Sequence, residues 1–261
     1  MGVLNVTPDS FSDGGRYLAP SAAVARLHEI AGEGAVICDV GAESTRPGSR
    51  PVSEEEELRR LEPVLAVVAG GGAPLPISID TSKAVVADVA MAAGAVLVND
   101  VTAGRADPDL LPLVGERHRA VCLMHMRGEP RTMQEAPRYD DVVGEVRGFL
   151  EERLEAAVAA GVAEERVLLD PGIGFGKRLQ DNLALLANLG ALTALGRPVV
   201  VGVSRKSMFR RLLGREVEER LAPSLAAGLA AVARGAAVLR AHDARETVDA
   251  LATWAAVEAA G

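Results

Sequence analysis

At 261 residues, 49% of them hydrophobic, the chain can bury a sizeable core, and it lies close to the roughly 250 residues typical of a (β/α)8 barrel. Aromatic residues make up only 3%, so that core has to be built from Val, Leu, Ile and Ala. A formal net charge of -8 argues against nucleic acid or an anionic membrane as the main partner, while a local basic site could still take an anionic small molecule.

Eight short apolar runs each end in a polar or ionisable side chain, and a continuous apolar run is how a buried parallel strand reads. Val3-Leu4 ends at Asn5, and after a long connection a helix opens at Pro20-Ser21 and stops near Gly32 and Gly34. Val36-Ile37-Cys38 ends at Asp39; after a second long connection, Ser53-Glu54-Glu55-Glu56 resembles a capping box in front of Leu58, Leu61, Val64 and Leu65. Ile77-Ser78-Ile79 into Asp80 precedes a predicted helix over 82–93, and Val96-Leu97-Val98 into Asn99 precedes one over 107–117. Val121-Cys122-Leu123-Met124 into His125 leads to 140–160, and Val167-Leu168-Leu169 into Asp170 leads to 180–194. Val199-Val200-Val201-Gly202-Val203 into Ser204 leads to 206–213 with 218–234, and Val238-Leu239 into Arg240 and His242 leads to 244–259. Strand and helix alternate eight times with no linker. That predicts an α/β fold, a (β/α)8 TIM barrel forming a single domain over 1–261, with long loops after strands 1 and 2. Eight polar ends on one rim would build an active site.

The two long connections are rich in Gly, Pro, Ser and Asp and have little to bury, so they read as loops over the barrel mouth. Phe11 and Arg46 read as contacts of such a lid. Only three lysines occur, Lys83, Lys177 and Lys206, and all three follow closely on strand ends, which favours those ends as the chemical face. Cys38 and Cys122 fall inside predicted strands and read as small hydrophobes, with no disulfide or metal spacing. No secretory leader and no bilayer-length apolar stretch is seen, so the cytoplasm is the expected location.

The stretch Met1-Gly2-Val3-Leu4-Asn5-Val6-Thr7-Pro8-Asp9-Ser10-Phe11-Ser12-Asp13-Gly14-Gly15 resembles the opening signature of the dihydropteroate synthase family, and Glu43-Ser44-Thr45-Arg46-Pro47-Gly48 resembles its second loop. Ile79-Asp80-Thr81, Val98-Asn99-Asp100, Asp170 through Lys177, Ser204-Arg205-Lys206-Ser207 and Arg240-Ala241-His242-Asp243 follow the family pattern in order. The resemblance covers essentially the whole chain. It implies a transferase of folate biosynthesis that condenses 6-hydroxymethyl-7,8-dihydropterin pyrophosphate with p-aminobenzoate to give 7,8-dihydropteroate and pyrophosphate.

By that resemblance Asp170 reads the 2-amino and N3 edge of the pterin, with Asn99 and Asp80 on neighbouring strand ends and Lys206 donating to the O4 and N5 edge. Arg240 and His242 take the pyrophosphate where barrels commonly bind phosphate, completed by Thr45 and by Asn5, which also contacts Mg2+, the expected cofactor. Phe11, Pro47, Phe175 and the stem of Lys206 wall the aminobenzoate ring, and Ser207 receives its carboxylate. Asp80, Asp170, Lys206 and Arg46 form the expected catalytic set. The expected chemistry is a dissociative substitution: pyrophosphate leaves, Asp80 and Asp170 stabilise the ring-conjugated cation, and closed loops exclude water.

Some polar residues stay open. Asp39 could orient the first loop, cap a turn or touch substrate; Asp9 and Asp13 could be turn residues; His125 reads as support; His28 and His118 read as solvated. Gly172, Gly174 and Gly176 lack the G-x-G-x-x-G spacing of a dinucleotide loop, so no nucleotide cofactor is expected. Family members usually carry a short strand pair ahead of the first barrel strand, which this sequence enters at once, and Ala42 stands where many have glycine. Competing readings are a pterin-binding methyltransferase, a non-catalytic pterin binder and an aldolase using Lys206 as a Schiff base. A homodimer is expected by the resemblance.

Overall fold

The computed structural model describes residues 1–7, 20–44, 49, 51–129 and 131–260. Eight parallel strands alternate with helices in chain order: β1 (Gly2–Asn5), α1 (Pro20–Gly32), β2 (Cys38–Gly41), α2 (Glu54–Ala69), β3 (Ile77–Asp80), α3 (Ala84–Ala93), β4 (Leu97–Asp100) and α4 (Leu110–Glu116). The second half runs β5 (Ala120–Met124), α5 (Val142–Ala159), β6 (Val167–Asp170), α6 (Leu179–Ala187), α7 (Gly190–Thr193), β7 (Val200–Val201), α8 (Met208–Leu213), α9 (Leu221–Val232), β8 (Val238–Leu239) and α10 (Ala244–Glu258). β1 to β6 pair consecutively, and β7 pairs with β8. Single parallel bridges, Leu169 to Val199 and Gly2 to Ala241, join these two pieces at both ends and close the (β/α)8 barrel. The second junction carries backbone bonds from Val3 N to Ala241 O and from Ala241 N to Met1 O, both 3.0 Å.

Alternation along each strand sorts the side chains into two layers. Leu4, Val40, Ile79, Val98, Leu123 and Leu169 join the buried shell between strands and helices. Their neighbours fill the barrel: Leu97, Cys122 and Val200 form an apolar floor, with Leu168 and Val238 packed against it. Above this floor the interior turns polar at Asp39, Ser78, Asn99 and Asp170, all buried.

The expected boundary of the second strand is corrected here. Val36 is 77% exposed and precedes the strand, which begins at Cys38, so Asp39 is its second residue and Gly41 ends it. A side chain at Gly41 would put Cβ 3.3 Å from that of Asp80, its neighbour in register. Asp39 therefore lies inside the barrel rather than at its rim.

Helix ends follow local chemistry. Ser53 accepts from Glu56 N at 3.2 Å, and four glutamates occupy the first turn of α2, where the helix dipole favours negative charge. Leu27 and Ile30 of α1 are fully buried, and truncating either to Ala costs about 2–5 kcal/mol by the usual core values. The predicted helix over 180–194 is split, since α6 ends at Ala187 and α7 is a separate short turn. Cys38 and Cys122 are free and buried, while His28 and His118 are exposed. Among the described residues no helix is long and apolar enough to cross a membrane.

Candidate active site

β2, β3, β4 and β8 deliver one charged network to the barrel mouth. Asp80 Oδ2 accepts from Arg240 NH2 at 2.9 Å, and the same guanidinium donates through Nε to Asp39 Oδ2 at 2.6 Å. Asp39 also accepts from Asn99 Nδ2 at 2.9 Å and from Ser78 Oγ at 2.6 Å. Among the described residues Asp39 holds Asn99 and Arg240 from beneath. With Nδ2 committed to Asp39, the Oδ1 of Asn99 is turned away from it as an acceptor.

Burial pushes the pKa of Asp80 up to about 7, with Arg240 opposing and Asp39 adding to the rise. Burial also opposes the charge on Arg240, yet Asp39 and Asp80 together hold the guanidinium above its ordinary range. Three carboxyl groups, Asp39, Asp80 and Asp170, face two bases, Arg240 and Lys206. Lys177 also acts on Asp170, and in so water-poor a place the carboxyl groups act strongly on a ligand that becomes cationic.

β6 supplies Asp170, whose Oδ1 accepts from Gly172 N at 2.6 Å. Its pKa is raised by burial, against the pull of the Gly172 N–H and of Lys206. Lys206 follows β7; burial lowers its pKa to about 8, with Asp170 opposing. Its Nζ lies 4.4 Å from the Phe175 ring centroid, and a Cβ on Gly174 would come within 3.3 Å of its Cδ. The loop after β6 therefore lies against the Lys206 stem, giving an aromatic-cation wall.

Arg205, between Ser204 and Lys206, has a left-handed φ of 56°. Its N–H donates to Ser224 Oγ at 2.9 Å, its carbonyl accepts from Arg220 NH1 at 3.0 Å, and its side chain pairs with Asp243. Contacts from α9 and from the start of α10 so impose a conformation that a side-chain-bearing residue avoids. His242 N donates to Ser204 Oγ at 3.1 Å, and the ring Nδ1 lies 3.1 Å from the same hydroxyl. Burial, with Arg240, Arg205 and Lys206 nearby, lowers the pKa of His242 to about 3, so the imidazole is neutral. If the hydroxyl proton serves Nδ1, Nε2–H is left as a donor.

Asn5 ends β1 and is half-buried, opposite Gly41 in register. Ser207 is exposed at the N-cap of α8. Phe11, Thr45, Arg46 and Pro47, with Asp9 and Asp13, lie outside the described residues. Three contributors have no separate role in the sequence reading. Ser78 is hidden within an apolar run. Asp100, next to Asn99, organises the following turn by accepting from Thr102 N at 2.8 Å and Thr102 Oγ1 at 2.7 Å. Lys177 is buried and meets His125, its Nζ 2.8 Å from Nδ1. Its rarity among the basic residues was the signal available.

A barrel mouth edged by carboxylates, amide and ammonium, beside a guanidinium and a neutral imidazole, fits the class of pterin binding enzymes, whose family profile matches residues 1–242. The chain is 48% identical over 263 residues to the dihydropteroate synthase of Neisseria meningitidis serogroup B, an alignment covering 98% of this chain and 92% of that one. The Xanthomonas albilineans dihydropteroate synthase solved with 4-aminobenzoic acid superposes with a TM-score of 0.92 at 51% identity, over 99% of this chain and 92% of that one. The same organism's enzyme in complex with 7,8-dihydropteroate gives a TM-score of 0.88 at 48% identity, over 99% and 93%. The chain belongs to the dihydropteroate synthase family.

Proposed function

We propose that residues 1–261 work as one pterin-binding domain and a transferase of folate biosynthesis. The reaction condenses 6-hydroxymethyl-7,8-dihydropterin pyrophosphate with p-aminobenzoate to give 7,8-dihydropteroate and pyrophosphate. The observation that carries this reading is the cluster of carboxyl groups Asp39, Asp80 and Asp170 beside Arg240 and His242 at one mouth, in a chain so similar to known synthases.

Asp170, Asn99 and Lys206 hold the pterin ring, Asp170 by accepting from its amino edge and Lys206 by donating to its oxygen edge. Arg240, His242, Asn5 and Thr45 hold the pyrophosphate. The methylene C–O bond breaks with its electron pair leaving on pyrophosphate, and the cation is conjugated with the ring. Asp80 and Asp170 stabilise that charge as it develops, which is where preorganised carboxylates act most strongly. The aniline nitrogen of p-aminobenzoate then forms the C–N bond and gives up one proton, which leaves with the released pyrophosphate. Phe175, Phe11, Pro47 and the Lys206 stem wall its ring, Ser207 takes its carboxylate, and Arg46 seals the mouth against water.

The donor set fits Mg2+ arriving with the pyrophosphate. Asn5 offers a single neutral oxygen, and among the described residues no group of three His, Cys, Asp or Glu could hold an ion unaided. Mg2+ keeps several waters and takes phosphate oxygens as ligands, so one protein oxygen suffices. Bound there, the ion would supply neutralisation of the leaving group's charge.

The chain acts in the cytoplasm as a homodimer, with no nucleic-acid or membrane partner. Leu212, Leu213, Val217 and Leu221, each between 37% and 53% exposed, give the α8–α9 region an apolar surface that supports association there. Sedimentation at micromolar concentration should give a dimer mass; a monomer would remove that part. Pyrophosphate release with both substrates and Mg2+ tests the whole reading. Release should need both substrates, and a folded protein without turnover would sink it.

A further inference from the structure

Lys177 is 2% exposed and has no role in the reaction just described. Its ammonium is surrounded by acceptors: Gly172 O and Phe175 O at 3.0 Å each, His125 O at 3.3 Å and His125 Nδ1 at 2.8 Å. An ammonium only donates, so Nδ1 carries the lone pair and the His125 proton sits on Nε2. Burial, reinforced by the Lys177 charge, lowers the His125 pKa to about 3 and keeps the ring neutral. Burial also draws the Lys177 pKa down to about 7, with Asp170 opposing, and four acceptors face its Nζ.

The acceptors exist because the loop after β6 turns inward. Gly172, Gly174 and Gly176 have φ of 64°, 87° and 61°. A Cβ at Gly172 would sit 2.0 Å from His125 O, and one at Gly176 would sit 2.2 Å from Arg127 O. The backbone of this loop thus rests directly on the segment that continues β5, with carbonyls converging on the space that Lys177 fills. The two ends of the loop are held differently. At Gly172 the carbonyl also accepts from Lys177, but the N–H donates to Asp170 Oδ1 across only two residues, a local bond that remains when Lys177 is removed. Phe175 lies farther from the strand, its carbonyl is fixed by Lys177, and its ring carries the contact with Lys206.

We infer that Lys177, seated on neutral His125, is a positioning residue that sets the Phe175 ring against Lys206 and so shapes the p-aminobenzoate side of the site rather than the pterin side. This rests on the synthase reading. The chain supplies an internal cation for a carbonyl cage, and the cage fixes an aromatic wall about which the second substrate is placed.

The test is a double-mutant cycle on the full chain, with pyrophosphate release as the assay and circular dichroism as the check of folding. Phe175→Ala and Lys177→Met should each raise KM for p-aminobenzoate on the order of tenfold, and pterin pyrophosphate KM should stay within about threefold. If Lys177 acts through Phe175, the double variant is no worse than Phe175→Ala; a residue that only stabilises the fold gives independent, multiplying effects. Multiplying effects, or an unchanged p-aminobenzoate KM in Lys177→Met, would overturn the inference. Should the methionine variant not fold, Lys177→Gln, which keeps two N–H donors for the cage, carries the same cycle. Failure of both to fold would confine Lys177 to stability and reject the assignment. Wild-type protein without turnover would remove the synthase reading and this inference together; normal wild-type turnover beside an unaltered Lys177 variant would remove this inference alone.

Discussion

Arg240 holds Asp39 and Asp80 with the same guanidinium that the proposed mechanism gives to pyrophosphate. In that mechanism anion binding competes with two carboxylates, which would keep the product from being held too tightly. Asp39→Asn weakens one competitor and removes a negative charge. We expect inhibition by added pyrophosphate to strengthen by about tenfold, and kcat to fall as cation stabilisation is lost. Product-inhibition kinetics checks both directions. Asp170→Asn should lower pterin affinity by roughly a hundredfold, the effect of weakening a charged, buried hydrogen-bond partner. Arg46→Ala should spare that affinity and reduce turnover; calorimetry with pterin pyrophosphate separates them, and equal losses would contradict the division of roles.

Asp80 also sets a pH dependence. Its folded pKa, about 7, lies above the ordinary 3.8, so the fold favours its protonated form. The stability this contributes is complete below 3.8 and is lost as pH rises through about 7. In the proposed mechanism activity runs the other way, because there the carboxylate stabilises the cation: kcat/KM should climb through about pH 7. Asp80→Asn should abolish that limb while lowering the plateau. A limb that survives the substitution belongs to another group.

At the scale of the element, the turn from β7 into α8 stores strain at Arg205. Gly there adopts the left-handed backbone without the cost of about 1 kcal/mol or more that Ala meets. Arg205→Gly should therefore be more stable than Arg205→Ala by about 1 kcal/mol, the reverse of the order seen within helices. Denaturant midpoints of the two variants decide it. The same turn shows what a sequence displays and what it hides. Continuous apolar runs located all eight strands, because burial on both faces leaves a pattern that no register can erase. They misplaced β2 by two residues, since an exposed Val36 reads like a strand residue and Gly41 does not. Which residues look inward depends on that register, so Asp39 was read at a rim instead of beneath Asn99 and Arg240. Asp80, Asn99, Asp170 and Lys206 were nameable because they sit in motifs with a recognisable resemblance. Lys177 was visible only as one of three lysines, its carbonyl cage being a product of glycine turns and the approach of a neighbouring strand.

Across the whole molecule, the ring of strands is uneven. β1 to β6 form a continuous paired arc, while β7 and β8 contribute two residues each and join it through single bridges. Arg240 and Lys206 extend from that thinly bonded side, whereas Asp80, Asn99 and Asp170 stand on the arc. Of the residues proposed for the ring, Asn99 and Asp170 thus stand on the continuous arc, while Lys206 shares the thinly bonded side with Arg240 and His242, proposed for the anion. The two thiols, Cys38 and Cys122, are both on the arc and both buried. Burial raises the Cys38 pKa to about 12 and pushes Cys122 well above its usual range. Alkylating reagents attack thiolates, so neither sulfur can react until the arc opens. Its labelling rate is then a clock for opening, and any ligand that binds the closed barrel slows the clock in proportion to its occupancy. Pterin, pyrophosphate and aminobenzoate affinities become readable one at a time, in protein that never completes a turnover.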